Sequence, residues 1–171
     1  MKATKLVVLI AVLMTFGAPL RSQAADYLKS ELFLGFRYSH IDGGLNGFGW
    51  GTGYAYNFTE NLGFAGEVGG VYGSKNGTSF NIHDFLVGPR FTLRGSQFNL
   101  FAHGLIGGAV ASASGLGSAS GFAFAGGGGV DYNLSKTMAF RIAQVDYVGY
   151  TGGGTVSSVR AQTGVVWKFG N

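Results

Sequence analysis

Three histidines, His40, His83 and His103, together with a scatter of arginines and acids, are the residues of this chain that could move a proton or hold a charge. A hydrolytic centre would need a histidine within reach of a hydroxyl nucleophile and a carboxylate to orient it. No His-x-Ser arrangement occurs, and the one carboxylate next to a histidine, Asp84 beside His83, points to the opposite face of any strand that carries both. The absence of cysteine excludes a disulfide framework and a thiolate metal site. The glycine runs imitate nucleotide-binding loops without the strand-to-helix context such loops require. Asn57-Phe58-Thr59, Asn76-Gly77-Thr78 and Asn133-Leu134-Ser135 match glycosylation sequons, which are short enough for chance to supply. Asp42, Lys75 and the nearby serines lack the spacing of a metal or receptor site. No catalytic, cofactor-binding or metal-ligating residue is therefore assigned, and no enzyme is expected.

The charges make more sense once the elements that carry them are drawn. From Glu31 onward hydrophobicity alternates with period two in runs ending at turn residues, and nothing sustains a helical period. The pattern predicts eight strands, at about 31–41, 46–58, 61–73, 80–94, 97–111, 121–133, 137–150 and 157–169. Tight turns follow strands two, four and six. Connections after the odd strands read as longer and richer in Gly, Ser and Thr, placing recognition loops near 42–46, 74–79, 112–120 and 151–157.

The two faces of each strand differ sharply. In strand two Phe48, Trp50, Tyr54, Tyr56 and Phe58 share one face, and Gly47, Gly49, Gly51, Gly53 and Ala55 the other. The large apolar faces together form a belt well beyond the few hundred Å² that soluble monomers expose. Such a belt calls for lipid, and a closed barrel satisfies every backbone hydrogen bond inside it. The fold class predicted is all-β, an eight-stranded antiparallel up-and-down transmembrane β-barrel. Phe58, Phe91, Phe98, Tyr132, Trp167 and Phe169 form one interfacial girdle, and Tyr38, Trp50, Tyr72, Phe80 and Tyr150 the other. A soluble ligand-binding barrel would need the reverse pattern, with a polar exterior and an apolar lumen.

Eight strands leave an interior that side chains can fill. The inward parity gathers a polar network of Arg37, Glu67, Asp84, Arg90, Asp131, Gln144, Asp146, Arg160 and Gln162, with three arginines (Arg37, Arg90, Arg160) balancing three acids (Glu67, Asp84, Asp146). Such a plug leaves little space for diffusion; the alternative is a narrow porin-like channel for small solutes. Four consecutive glycines, Gly126 to Gly129, interrupt strand six, and the reading is that Gly127 and Gly129 make lumen room for guanidinium groups while Gly126 and Gly128 thin the outer face. Two irregularities stand out. Pro89 cannot donate to a ladder, and Arg141 and Asp146 have opposite parity, which predicts a bulge between Arg141 and Gln144.

Residues 1–25 have the layout of a cleaved signal peptide: Lys2 and Lys5, an apolar run from Leu6 to Phe16, and a small-residue site at Ser22-Gln23-Ala24. Residues 26–171 then form the barrel domain. Removing Lys2, Lys5 and Arg21 lowers the basic count from 12 to nine against eight acids, so the formal charge of +4 falls to about +1. That balance excludes a nucleic-acid partner argued from basicity.

The opening ELFLGFRYSHI, the central FLVGPRFTL, the segment GGGGVDYNLSKTMAFRIAQVDYV and the closing VRAQTGVVWKFG make the chain resemble the small eight-stranded outer-membrane β-barrel proteins, the OmpA/OmpX-like group. The resemblance implies a bacterial outer-membrane location, contact with outer-membrane lipid, and delivery by periplasmic chaperones to the outer-membrane assembly machinery. That machinery reads a last strand ending in an aromatic, and here Phe169 is followed by Gly170 and Asn171. The group implies a monomer with a structural or surface-interaction role, in membrane integrity, adhesion or recognition through loops. The loop partner is not named by the sequence, and fold alone does not transfer function.

Overall fold

An open sheet of these strands would leave the backbone edges of its first and last strands unpaired. The chain resolves this by closure. The computed structural model describes residues 27–115, 117–152 and 154–170, so the expected signal peptide lies outside the described residues. Eight strands follow in chain order: β1 (Ser30–Ile41), β2 (Leu45–Asn57), β3 (Leu62–Lys75), β4 (Thr78–Arg94), β5 (Phe98–Ala113), β6 (Gly117–Asn133), β7 (Met138–Thr151) and β8 (Thr155–Phe169). Each pairs antiparallel with its neighbours, and β8 returns to β1 from Ser30 opposite Phe169 to Ile41 opposite Ser158, closing the barrel.

The faces follow the sequence pattern. Phe36, Phe48, Trp50, Phe85, Ile106 and Tyr147 point outward with 41% to 57% of their surface exposed, whereas Arg37, Gln144 and Arg160 are fully enclosed. Aromatic pairs brace the outer face near the turns, with Phe98 and Tyr132 rings 5.3 Å apart and Tyr56 and Phe58 rings 5.5 Å apart.

Three expectations need correction. The connections after odd strands are not longer loops: the ladders run on until only residues 42–44, 76–77, 114–116 and 152–154 remain between strands. The Ser, Gly and Ala residues assigned to loops pair instead as strand, with Ser112 opposite Ser118 and Ala113 opposite Gly117. Asn76 and Gly77 make this possible in the β3–β4 hairpin, since both take positive φ (52° and 82°), as a two-residue hairpin turn demands. Phe80 and Tyr150 do not join the outer girdle. Phe80 shares its face of β4 with the enclosed Asp84 and Leu86, and Tyr150 packs on the interior cluster that contains Val148.

The irregularities fall at the two marked places. Asp131 pairs with Arg141 but Val130 pairs with Ala143, so Ile142 is the extra residue of a bulge in β7. Ile142 and Ala143 are both exposed, which turns Arg141 and Gln144 inward together. Around Pro89 the β4–β5 pairing passes from Val87–Ile106 directly to Arg90–His103, keeping register across the break. Proline has no N–H to give there, and its ring faces outward where no side chain must be packed.

Candidate functional site: an ion-paired lumen

The interior is built from inward positions that alternate between very small and very long side chains. Gly51 and Gly69, on β2 and β3, leave the space that Arg37 and Gln162 fill: a methyl at Gly69 would collide with the Arg37 guanidinium, and one at Gly51 with the Gln162 amide oxygen. The room for a guanidinium thus comes from β2 and β3. At Gly127 the space is taken by the Asp146 carboxylate and the Val145 carbonyl, and at Gly129 by the Phe101 ring, which replaces the expectation that arginines occupy it. Gly126 faces open space on the outside, and Gly128 sits against the Phe101 carbonyl of β5.

Within that frame the charged groups form two connected tiers. In the upper one Arg37 donates through Nη1 to both Asp84 oxygens, at 2.9 and 2.8 Å, and through Nε to Gln162 Oε1 at 3.1 Å. Arg160 donates through Nη2 to Asp146 Oδ2 at 2.8 Å and to Glu67 Oε2 at 2.9 Å, with Nε also on Asp146. Gln144 ties the acids together, its amide donating to Glu67 at 2.9 Å and to Asp146 at 2.8 Å.

The lower tier is built around aromatic rings. Arg141 donates to both Asp131 oxygens at 2.8 and 3.2 Å, with its guanidinium carbon 4.4 Å from the Phe33 ring centre and 4.3 Å from that of Phe101. Arg90 lies over the other reach of Phe101 at 4.2 Å and pairs with Glu31 at 3.0 Å. Arg94 joins Glu31 from the turn end at 3.0 Å. One bond links the tiers: Arg141 Nη1 donates to Gln144 Oε1 at 2.6 Å.

All nine residues singled out from the sequence lie inside the barrel: Arg37, Glu67, Asp84, Arg90, Asp131, Gln144, Asp146, Arg160 and Gln162 are each buried. The count of three arginines against three acids is too small. Glu31 and Asp131 raise the buried acids to five, and Arg37, Arg90, Arg141 and Arg160, with Arg94 at the turn end, answer them. Glu31 stands at the very start of β1, where the alternation has barely begun, and Arg141 is hidden by the bulge.

His103 is the other omission. Its Nε2 is 2.8 Å from Asp146 Oδ1 and its Nδ1 3.8 Å from Glu67 Oε1, so it does have an orienting carboxylate, supplied by β7. The odd-numbered parity it shares with Phe101 and Leu105 was the available signal. His83 points outward and packs edge-on to Tyr72 at 5.5 Å, and His40 Nδ1 lies 2.7 Å from Asn46 Oδ1 at the rim.

The arrangement leaves a reactant almost nowhere to stand. The space between the tiers, bounded by Glu31, Glu67, Arg90, His103 and Arg141, has a volume of about 10 Å³, which is room for about one water. Every acid is held by cations or amides, and removing one member of a buried pair would leave the other uncompensated at a cost of about 3–5 kcal/mol. The geometry suits a rigid plug.

No family model matches the chain, and no curated protein matches it. Solved structures do. Neisserial surface protein A superposes with a TM-score of 0.73 at 16% identity, covering 82% of this chain and 97% of its own. Ail, the attachment invasion locus protein of Yersinia pestis, gives 0.60 at 20% identity over 84% of this chain and 99% of its own. The outer-membrane protein OprG from Pseudomonas aeruginosa gives 0.57 at 13% identity over 85% and 97%. At these identities the likeness is one of fold: the chain has the fold of the small eight-stranded outer-membrane β-barrels.

Proposed function

We propose that the protein is an integral barrel of the bacterial outer membrane, exported through a cleaved signal peptide, with a sealed lumen and a role carried by its surface. The observation that carries this reading is the pairing of an apolar outer belt with an interior whose arginines and acids neutralise one another, Arg160 with Asp146 and Glu67 at its centre. A lumen committed to its own ion pairs serves rigidity better than transport. The exposed hairpins then become the place where the protein meets something else, in membrane integrity, adhesion or surface recognition.

The orientation proposed sets the hairpin tips at residues 42–44, 76–77, 114–116 and 152–154 outside the cell. The opposite end, where the Lys29 N–H donates to the Gly170 carbonyl at 3.0 Å, lies in the periplasm. Outer-membrane lipid is the solvent of the belt, and periplasmic chaperones and the assembly machinery are the partners of biogenesis. The barrel works as a monomer. Two solved neighbours carry surface roles in their names, the attachment invasion locus protein and the Neisserial surface protein, which supports a surface reading without fixing a partner.

Labelling tests the placement directly. A single cysteine at Asn76 should react with a membrane-impermeant maleimide in intact cells, and one at Lys136, in the opposite turn, should react only after the outer membrane is permeabilised. The reverse order, or equal labelling of both in intact cells, would overturn it.

A further inference from the structure

The interior is not polar along its whole length. Beside the ion pairs Leu86, Leu105, Ala123, Ala125 and Val148 form an apolar cluster with Ala55 and Ala65, and Ala109 and Tyr150 pack against it. Toward the hairpin end, past Asp84 on β4, the interior opens as a cavity of about 480 Å³. Its walls come from seven strands: Ile41 of β1, Leu45 of β2, Phe80 and Ile82 of β4, Ala109 and Ala111 of β5, Tyr150 of β7 and Val156 of β8, with the small residues around Gly121 supplying β6. Among the described residues that line it there is no Asp, Glu, Lys, Arg or His.

An apolar bowl at this position needs a reason. The outer belt is apolar because lipid tails wet it, but the closed sheet keeps tails out of the interior, so the bilayer does not account for Phe80, Ile82 or Val156. Packing does not account for them either, since the space between them is open. Lining of this kind facing water forfeits about 25 cal/mol per Å² of apolar surface, and the interior of an outer-membrane barrel is ordinarily polar. A bound apolar molecule would recover that loss.

We infer that the mouth of the barrel is a binding site for a small uncharged apolar molecule. The volume sets the size. A dry apolar cavity of about 150 Å³ takes up benzene, and this one, at about 480 Å³, falls within the roughly 300–1,000 Å³ of pockets that hold small organic ligands. The lining sets the chemistry: mostly aliphatic and aromatic walls, with uncharged hydroxyl and amide groups from Asn81, Ser112, Ser118, Ser120, Tyr150 and Thr151. An anion or cation would be desolvated there with no counter-charge among the lining residues. The plug sets the fate of the ligand, because Arg37, Asp84 and Arg160 fill the lumen beyond Ile82 and are closed to solvent. The molecule enters and leaves by the same mouth, so the site captures and does not conduct.

The test uses the protein in lipid nanodiscs and 4-fluorotoluene as the probe, followed by ¹⁹F line broadening against empty nanodiscs. Saturable broadening that requires the protein is expected, with 4-fluorobenzoate showing none. Ala111→Trp, which places an indole in the bowl at an already exposed position, should weaken binding at least about tenfold, equivalent to about 1.4 kcal/mol. Ala109→Trp should do the same from deeper in the wall. Retention of the unheated gel mobility shows that each variant is still folded. Broadening equal to that of empty nanodiscs, unchanged affinity in folded Ala111→Trp, or equal binding of the benzoate would each overturn the inference.

Discussion

Arg160 and Asp146 are direct partners across the β7–β8 ladder and also an ion pair at the centre of the lumen, at 2.8 Å, with neither side chain reached by solvent. Backbone register and side-chain pairing therefore specify one another here. A slip of β8 by one residue would turn Arg160 toward lipid and leave Asp146, Glu67 and Asp84 without it.

Replacing Arg160 by leucine should accordingly destabilise the barrel by about 3–5 kcal/mol, because three acids lose a partner in a site closed to water. Urea unfolding in lipid vesicles, followed by the fluorescence of Trp50 and Trp167, measures it. Adding Asp146→Asn to Arg160→Leu should recover part of the loss. Additive losses would show that the two residues are not coupled.

The glycines separate into those that hold space and those that do not. Gly69→Ala forces a methyl against the Arg37 guanidinium and should cost about 1–3 kcal/mol. Gly104→Ala and Gly126→Ala meet nothing within 4 Å and should change unfolding by no more than about 0.5 kcal/mol. Equal losses at Gly69 and Gly126 would mean that backbone freedom, and not space, is what these positions supply.

The β7 bulge gives a sharper contrast. Deleting Ile142 removes the unpaired residue and leaves Arg141 and Gln144 on the same inward face, so the barrel should still form. Deleting Val145 instead reverses the parity of Gln144 relative to Asp146 and should prevent folding. Refolding yield into vesicles distinguishes the two. Equal yields would contradict the register.

A lumen closed by these pairs should also be electrically silent. In planar bilayers the protein is expected to give no steps of stable conductance, whereas regular openings would favour a narrow channel over a plug.

Much of this was legible in the chain. Strand parity depends on neighbours one and two residues away, so the alternation of Phe48, Trp50 and Tyr54 with Gly49, Gly51 and Gly53 marks a face without reference to anything distant. The bulge was legible for the same reason, as a clash of parity between Arg141 and Asp146. Partners across the lumen were not, because Asp146 meets His103, and Arg160 bridges Asp146 to Glu67, through barrel closure and not through sequence spacing. The reach of the ladders was hidden too: Ser112 to Ser120 has loop composition, and its pairing depends on both sides of the hairpin extending together. The apolar mouth escaped notice because Phe80 and Tyr150 near strand ends look like girdle residues until the inward face of each strand is followed to its tip.

The central claim, a closed barrel held by its own interior and solvated by lipid, is tested most directly by gel mobility of the membrane-fraction protein in detergent, unheated against boiled. The account predicts faster migration unheated and a shift on boiling, since the sealed sheet resists the detergent until heat opens it. Identical mobility, or recovery of the protein only from the soluble periplasm, would contradict it and reverse the assignment of the two faces.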